Sequence, residues 1–146
     1  MDKAKILELV KSKISEKIGN LERLIAETRA SNNDTKSSMG DKYETGREML
    51  QQEINNLQLQ LNENLIHQNF LKNVNTNLHQ MIGNGTLVET DAGIFYISVS
   101  AGEITFENRK IYAVSSDSPI SKGMMGKKVG DEFVVNGLNR QIKTLW

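Results

Sequence analysis

Cysteine is absent from the 146 residues, and with it every disulfide framework and every cysteine-based zinc site; nothing argues for an oxidising compartment. Proline occurs once, at Pro119, so the long stretches before it are free of the residue that most reliably breaks a helix. An excess of one charge is lacking too: eighteen basic residues balance eighteen acidic ones, which leaves the chain as a whole no electrostatic reason to seek nucleic acid. No apolar run approaches the length of a membrane span. The N-terminal Met1-Asp2-Lys3-Ala4-Lys5 leads into charged helix without the apolar core of a signal peptide. The expectation is a cytoplasmic protein without a membrane partner. The two histidines, His67 and His79, stand far apart with no cysteine partner and read as surface or seam-edge residues rather than metal ligands. Neither a Ser/His/Asp grouping nor a glycine-rich phosphate loop can be assembled.

What is present falls into two halves. Residues 83–146 hold eight of the eleven glycines and the proline, whereas no glycine or proline lies between Arg47 and Ile82. Gly83-Asn84-Gly85 therefore marks the boundary between a helical domain, 1–82, and a small β-rich domain, 83–146.

In the first half apolar residues recur at three and four: Leu7, Val10, Ile14, Ile18, Leu21 and Ile25, then Leu50, Ile54, Leu57, Leu61, Leu71, Leu78 and Ile82. This spacing predicts two helices, over about 3–31 and 41–82, of ~43 and ~60 Å at 1.5 Å per residue. The short connection, about 32–40, sends the second helix back along the first as an antiparallel coiled coil. The longer second arm projects past its partner, and its last apolar residues need another surface, which the second domain can supply. Residues 1–31 are mildly basic and 41–82 mildly acidic, an asymmetry that by itself serves to fix register.

After Gly85 the period changes to two. Residues 86–90 and 93–99 read as a hairpin across Asp91-Ala92-Gly93, 103–106 and 110–114 as further strands, and 133–135 with 140–145 as a hairpin across Asn136-Gly137. The fold class is α+β: an antiparallel coiled-coil hairpin followed by a small antiparallel β-rich domain. So small a sheet has a modest core and must lean on the helical arm or a partner.

Between the middle strands and the last hairpin lies Ser118-Pro119-Ile120-Ser121-Lys122-Gly123-Met124-Met125-Gly126-Lys127-Lys128-Val129-Gly130-Asp131, one helical turn with glycines releasing the chain onward. This segment and the Val-rich hairpin after it resemble the C-terminal domain of the Gre family, the bacterial transcript cleavage factors, a domain whose fold is FKBP-like. The hairpin turn is similar as well: Gre factors carry Gly-Asp-x-x-Glu at the tip of an N-terminal coiled coil, and Gly40-Asp41-Lys42-Tyr43-Glu44 matches it. The chain departs from the family after Glu44, where Thr45-Gly46-Arg47-Glu48 replaces the usual Asn-Ala and further Glu-Tyr, and in a shorter C-terminal domain.

The resemblance implies that RNA polymerase is the partner, that the coiled coil enters its secondary channel, and that Ser118, Pro119, Gly126, Gly130 and Asp131 belong to the docking motif. It implies no catalytic site and no cofactor of the chain's own. Asp41 and Glu44 would share a second Mg2+ with the polymerase active centre, and Lys42 and Tyr43 would flank the RNA 3′ end or active-site loops. Chemistry supplies the reason: hydrolysing a backtracked phosphodiester takes two metals, and the second is held weakly until further oxygen ligands arrive. Carboxylates three apart at a helix start can converge on one ion. The same pair also fits a capping box. Other readings are a secondary-channel regulator without cleavage activity, an FKBP-like peptide-binding domain, and a coiled-coil scaffold; a monomer is expected.

Overall fold

The computed structural model describes residues 1–38 and 44–146 of the chain. Two helices, α1 (Lys3–Ser38) and α2 (Glu44–Leu71), precede six strands and one short helix: β1 (Leu87–Thr90), β2 (Gly93–Ser98), β3 (Gly102–Phe106), β4 (Arg109–Ser115), α3 (Pro119–Met124), β5 (Glu132–Val135) and β6 (Leu138–Leu145). The class is α+β, as the two periodicities predict. The chain forms two compact units, Ile14–Gln68 and Met1–Lys13 with Asn69–Trp146.

The unit Ile14–Gln68 is the helical hairpin. Its seam residues Ile14, Ile18, Leu21, Ile25, Ile54 and Leu61 are buried, as the heptad spacing requires. Arg29, Asn32 and Asn33 of α1 line one cavity with Gln51, Ile54, Asn55 and Gln58 of α2, so the end of one helix lies beside the start of the next and the two run antiparallel. Helix α1 continues to Ser38 rather than stopping near 31. The polar run Ser31-Asn32-Asn33-Asp34 suggests a turn, but each such residue costs a helix only a few tenths of a kcal/mol up to ~0.7, and no glycine or proline interrupts before Gly40.

Helix α2 ends at Leu71, eleven residues short of the expected Ile82. Asn73, Asn75 and Asn77 alternate with β-branched Val74 and Thr76, all weak helix formers, and the Asn75 carboxamide accepts a hydrogen bond from the Asn77 N–H (3.1 Å). Leu71 and Ile82 are nevertheless buried in the other unit, while Leu78 is 76% exposed.

That unit holds one sheet of order β3-β4-β2-β1-β6-β5. Every neighbouring pair is antiparallel except β2 and β4, which run parallel from Ile94↔Ile111 to Ser98↔Ser115. The sequence predicts an antiparallel sheet here. Instead Gly102, at a φ of 80°, turns the chain outward, so β3 takes the edge and β4 returns inside it against β2. The last hairpin forms as expected, with Asn136 and Gly137 both at positive φ (52° and 76°) in the manner of a type I′ turn.

Phe95 and Ile97 of β2 join Val88, Phe133, Ile142, Ile82 and Met124 of α3 in one apolar cluster. The intervening Tyr96 is completely buried as well, so the sheet is covered on both faces. The remaining helical piece of this unit is the start of α1, whose Ile6 and Val10 are fully buried and whose Lys13 ammonium donates to the Glu103 carbonyl. The small sheet thus leans on the chain's own first turns.

Candidate functional site

The Gly-Asp-x-x-Glu sequence occupies the connection between α1 and α2. Gly40, Asp41, Lys42 and Tyr43 lie outside the described residues, and Glu44 enters as the first residue of α2. Among the described residues no group of three or more His, Cys, Asp or Glu is placed to hold a metal ion.

The segment 118–131 is described throughout. Ser118 is the N-cap of α3: its side chain accepts from the Ser121 N–H (3.3 Å) and shares a hydrogen bond with the Ser121 hydroxyl (2.8 Å), which is fully buried. Pro119 follows at the first helical position, where its missing N–H costs nothing. Gly126, at a φ of 78°, donates its N–H to the Ile82 carbonyl (2.9 Å), and Ile82 donates in turn to Lys127 (2.9 Å). Gly130, at a φ of 92°, donates to the Ile142 carbonyl (2.9 Å). The Asp131 carboxylate accepts from the Lys128 N–H (2.9 Å), and its carbonyl accepts from the Ile142 N–H (3.0 Å).

All five predicted docking residues therefore build one turn, fastened at one end to Ile82 and at the other to β6. What the turn presents outward is apolar and basic: Met125, Val129, Lys122 and Lys128 are exposed. Met124 is buried in the core, whereas Met125 beside it is exposed.

A second polar constellation lies within the same unit. The Lys3 ammonium donates to the Asn77 carbonyl (2.6 Å), and its burial lowers its pKa to about 8. His79 Nδ1 sits 2.5 Å from the Thr86 hydroxyl oxygen, which also accepts from the Gly83 N–H (2.9 Å). Burial first, and the Lys3 charge second, hold the imidazole below its ordinary pKa. The imidazole and the Thr86 hydroxyl share one hydrogen bond, whose direction is set by the ring tautomer. His79 is thus a half-buried clasp on the segment entering β1. On β2, the Tyr96 and Ser98 hydroxyls are buried without partners, and burial pushes the Tyr96 phenol up to about 12.

The sequence reading missed the polar cavity of the hairpin, lined by Arg29, Asn32, Asn33, Gln51, Ile54, Asn55 and Gln58 with a volume of about 390 Å³. Its signal was present: the heptad Ile18, Ile25 continues to Asn32, where an apolar residue would complete the seam.

No family model matches the chain, and no curated protein matches it. Among solved structures the chain is similar to the transcription factor Gfh1, at 16% identity and a TM-score of 0.40 over 92% of this chain and 90% of that one. It is similar also to GreA factor homolog 1 (Gfh1) of Thermus thermophilus, at 15% identity and 0.40 over 93% and 94%, and to Thermus aquaticus Gfh1, at 16% and 0.40 over 94% of each. Superposition at that level does not assign the chain an activity.

Proposed function

We propose that this chain is an RNA polymerase accessory factor of Gre type, which inserts its helical hairpin into the polymerase secondary channel and stimulates cleavage of backtracked RNA. The observation that carries the reading is the coincidence of motif and architecture. A Gly-Asp-x-x-Glu sequence falls at the connection of an antiparallel helix pair, and a Ser-Pro-capped turn follows on a small sheet in the same chain.

In this reading the chain has no active site of its own and works as a monomer. Asp41 and Glu44 are oxygen donors suited to Mg2+, which the polymerase active centre supplies; that ion polarises the phosphate and activates water. Lys42 and Tyr43 flank the RNA 3′ end. The segment containing Ser118, Pro119, Gly126, Gly130 and Asp131 docks on the polymerase, with those residues shaping the turn and Met125 and Val129 offered as its apolar contacts.

A backtracked elongation complex tests this directly. Adding the protein should shorten the RNA from its 3′ end, and Asp41→Ala or Glu44→Ala should abolish shortening with polymerase affinity nearly unchanged. Absence of polymerase binding would overturn the proposal. Binding without shortening would instead establish the second reading, a secondary-channel regulator. The replacement of the family's Asn-Ala by Thr45-Gly46 directly after Glu44 favours that alternative.

A further inference from the structure

The antiparallel hairpin does not fill its own seam. From Ile14 to Ile25 on α1, and at Ile54 and Leu61 on α2, the interior is apolar and buried. One heptad beyond Ile25 the seam position is Asn32, and there the helices flank a cleft of about 390 Å³, open to solvent on one side. That volume lies within the range of small-ligand sites, and packed helix pairs ordinarily leave no gap much larger than a water molecule.

Among the described residues its lining is chemically narrow. Five carboxamides (Asn32, Asn33, Gln51, Asn55 and Gln58) surround the apolar floor of Ile54, Arg29 supplies a cation, and none of the described lining residues is a carboxylate. Two of the carboxamides already donate along α2, Gln51 Nε2 to Asn55 Oδ1 and Gln58 Nε2 to Asn62 Oδ1, each at 3.1 Å. The Asn32 Oδ1 atom is buried without a partner. Whichever end of that carboxamide faces inward, one hydrogen bond is left unmade. Nor does Arg29 take part in any ion pair or hydrogen bond among the described residues.

We infer that this cavity is a binding site for a nucleotide, whose phosphate pairs with Arg29 and whose base edge is read by the carboxamides around Asn32. A guanidinium binds phosphate as a planar fork, and Asn and Gln side chains match the paired donor and acceptor of a base edge. The base lies on Ile54. A free nucleotide and one residue of a single RNA strand share this chemistry. The site stands apart from the polymerase reading, because it is tested on the protein alone.

The experiment is an amide-resolved NMR titration of the full chain with AMP, GMP, CMP and UMP in turn, against adenosine, inorganic phosphate and a short single-stranded oligoribonucleotide. At least one monophosphate is expected to bind, with shifts centred on residues 29–33 and 51–58. Adenosine and phosphate alone should each bind at least ~10-fold more weakly than that monophosphate, about 1.4 kcal/mol. Arg29→Gln should weaken binding by a similar factor, and Asn32→Leu, which completes the apolar seam, should abolish it while the hairpin stays folded. Tighter binding of the oligoribonucleotide than of any monophosphate identifies an RNA strand as the ligand; the reverse identifies a free nucleotide. No shift with any probe, or equal shifts in Arg29→Gln, overturns the inference and leaves a water-filled gap.

Discussion

Replacing Tyr96 by Phe should make the protein more stable, and the gain should grow at alkaline pH. The ring of Tyr96 is fully buried in β2, but its hydroxyl has no partner, so folding strips water from that group and returns nothing. An orphaned hydroxyl costs ~1–3 kcal/mol, and Phe keeps the packing while removing it. At neutral pH the expected gain is ~1 kcal/mol, or ~2–4 °C in Tm. The second component is proton linkage. An unfolded chain releases the tyrosine proton near pH 10, while burial holds it in the folded protein up to about 12. Between those values unfolding releases a proton, so rising pH favours it. The stability is fully present below pH 10 and falls by ~3 kcal/mol on approach to 12, from two units at about 1.4 kcal/mol each. Urea unfolding followed by circular dichroism at intervals from pH 7 to 11.5 measures both effects. In Tyr96→Phe the midpoint should rise at pH 7 and the Tyr96 share of the alkaline decline should vanish. A variant that is less stable at pH 7, with the same decline above pH 10, would refute the reasoning and show that the hydroxyl is hydrogen-bonded.

Lys3 should act in the opposite direction. Its folded pKa of about 8 lies below the unfolded value of 10.5, so the unfolded chain binds the extra proton between them and stability rises with pH across that window; Lys3→Met should flatten the rise in the same urea series. Thr86→Val preserves shape but strands the Gly83 N–H and removes the hydrogen-bond partner of His79, and should cost ~2 kcal/mol by the same measurement. Met124→Ala empties a fully buried position where α3 meets the sheet, and calorimetry should show a loss of ~2–5 kcal/mol.

The parts of the fold that follow from local spacing were legible in the chain. Ile14, Ile18, Leu21 and Ile25 could share only a helical stripe, and they form the buried seam. Asn136-Gly137 between two alternating runs could make only a tight hairpin. Decisions taken by competition between neighbours were not legible. No breaker residue marks the end of α2, which stops because Asn75 and Asn77 bond to each other outside a helix. The parallel pairing of β2 with β4 depends on which strand reaches the interior, and nothing in a strand's own sequence records its partner. His79 looked like a surface residue because its partner, Thr86, is reached only once the segment between them has folded. The segment 118–131 was singled out by residue types, and the structure supplies their local work: Ser118 caps, Gly126 and Gly130 turn, and Asp131 ties. The expectations on Asp41 and Glu44 fall on side chains outside those described.

One compact unit joins Met1–Lys13 to Asn69–Trp146, and this has a consequence for biogenesis. Residues 1–13 leave the ribosome before residues 69–146, with which they form one unit. Ile14–Gln68 is a compact unit by itself and can fold while synthesis continues, whereas Ile6 and Val10 must wait, uncovered, for residues 69–146 to emerge. A nascent chain halted before β6 would therefore carry a finished hairpin with Ile6 and Val10 unshielded, which is the species a chaperone would be expected to hold.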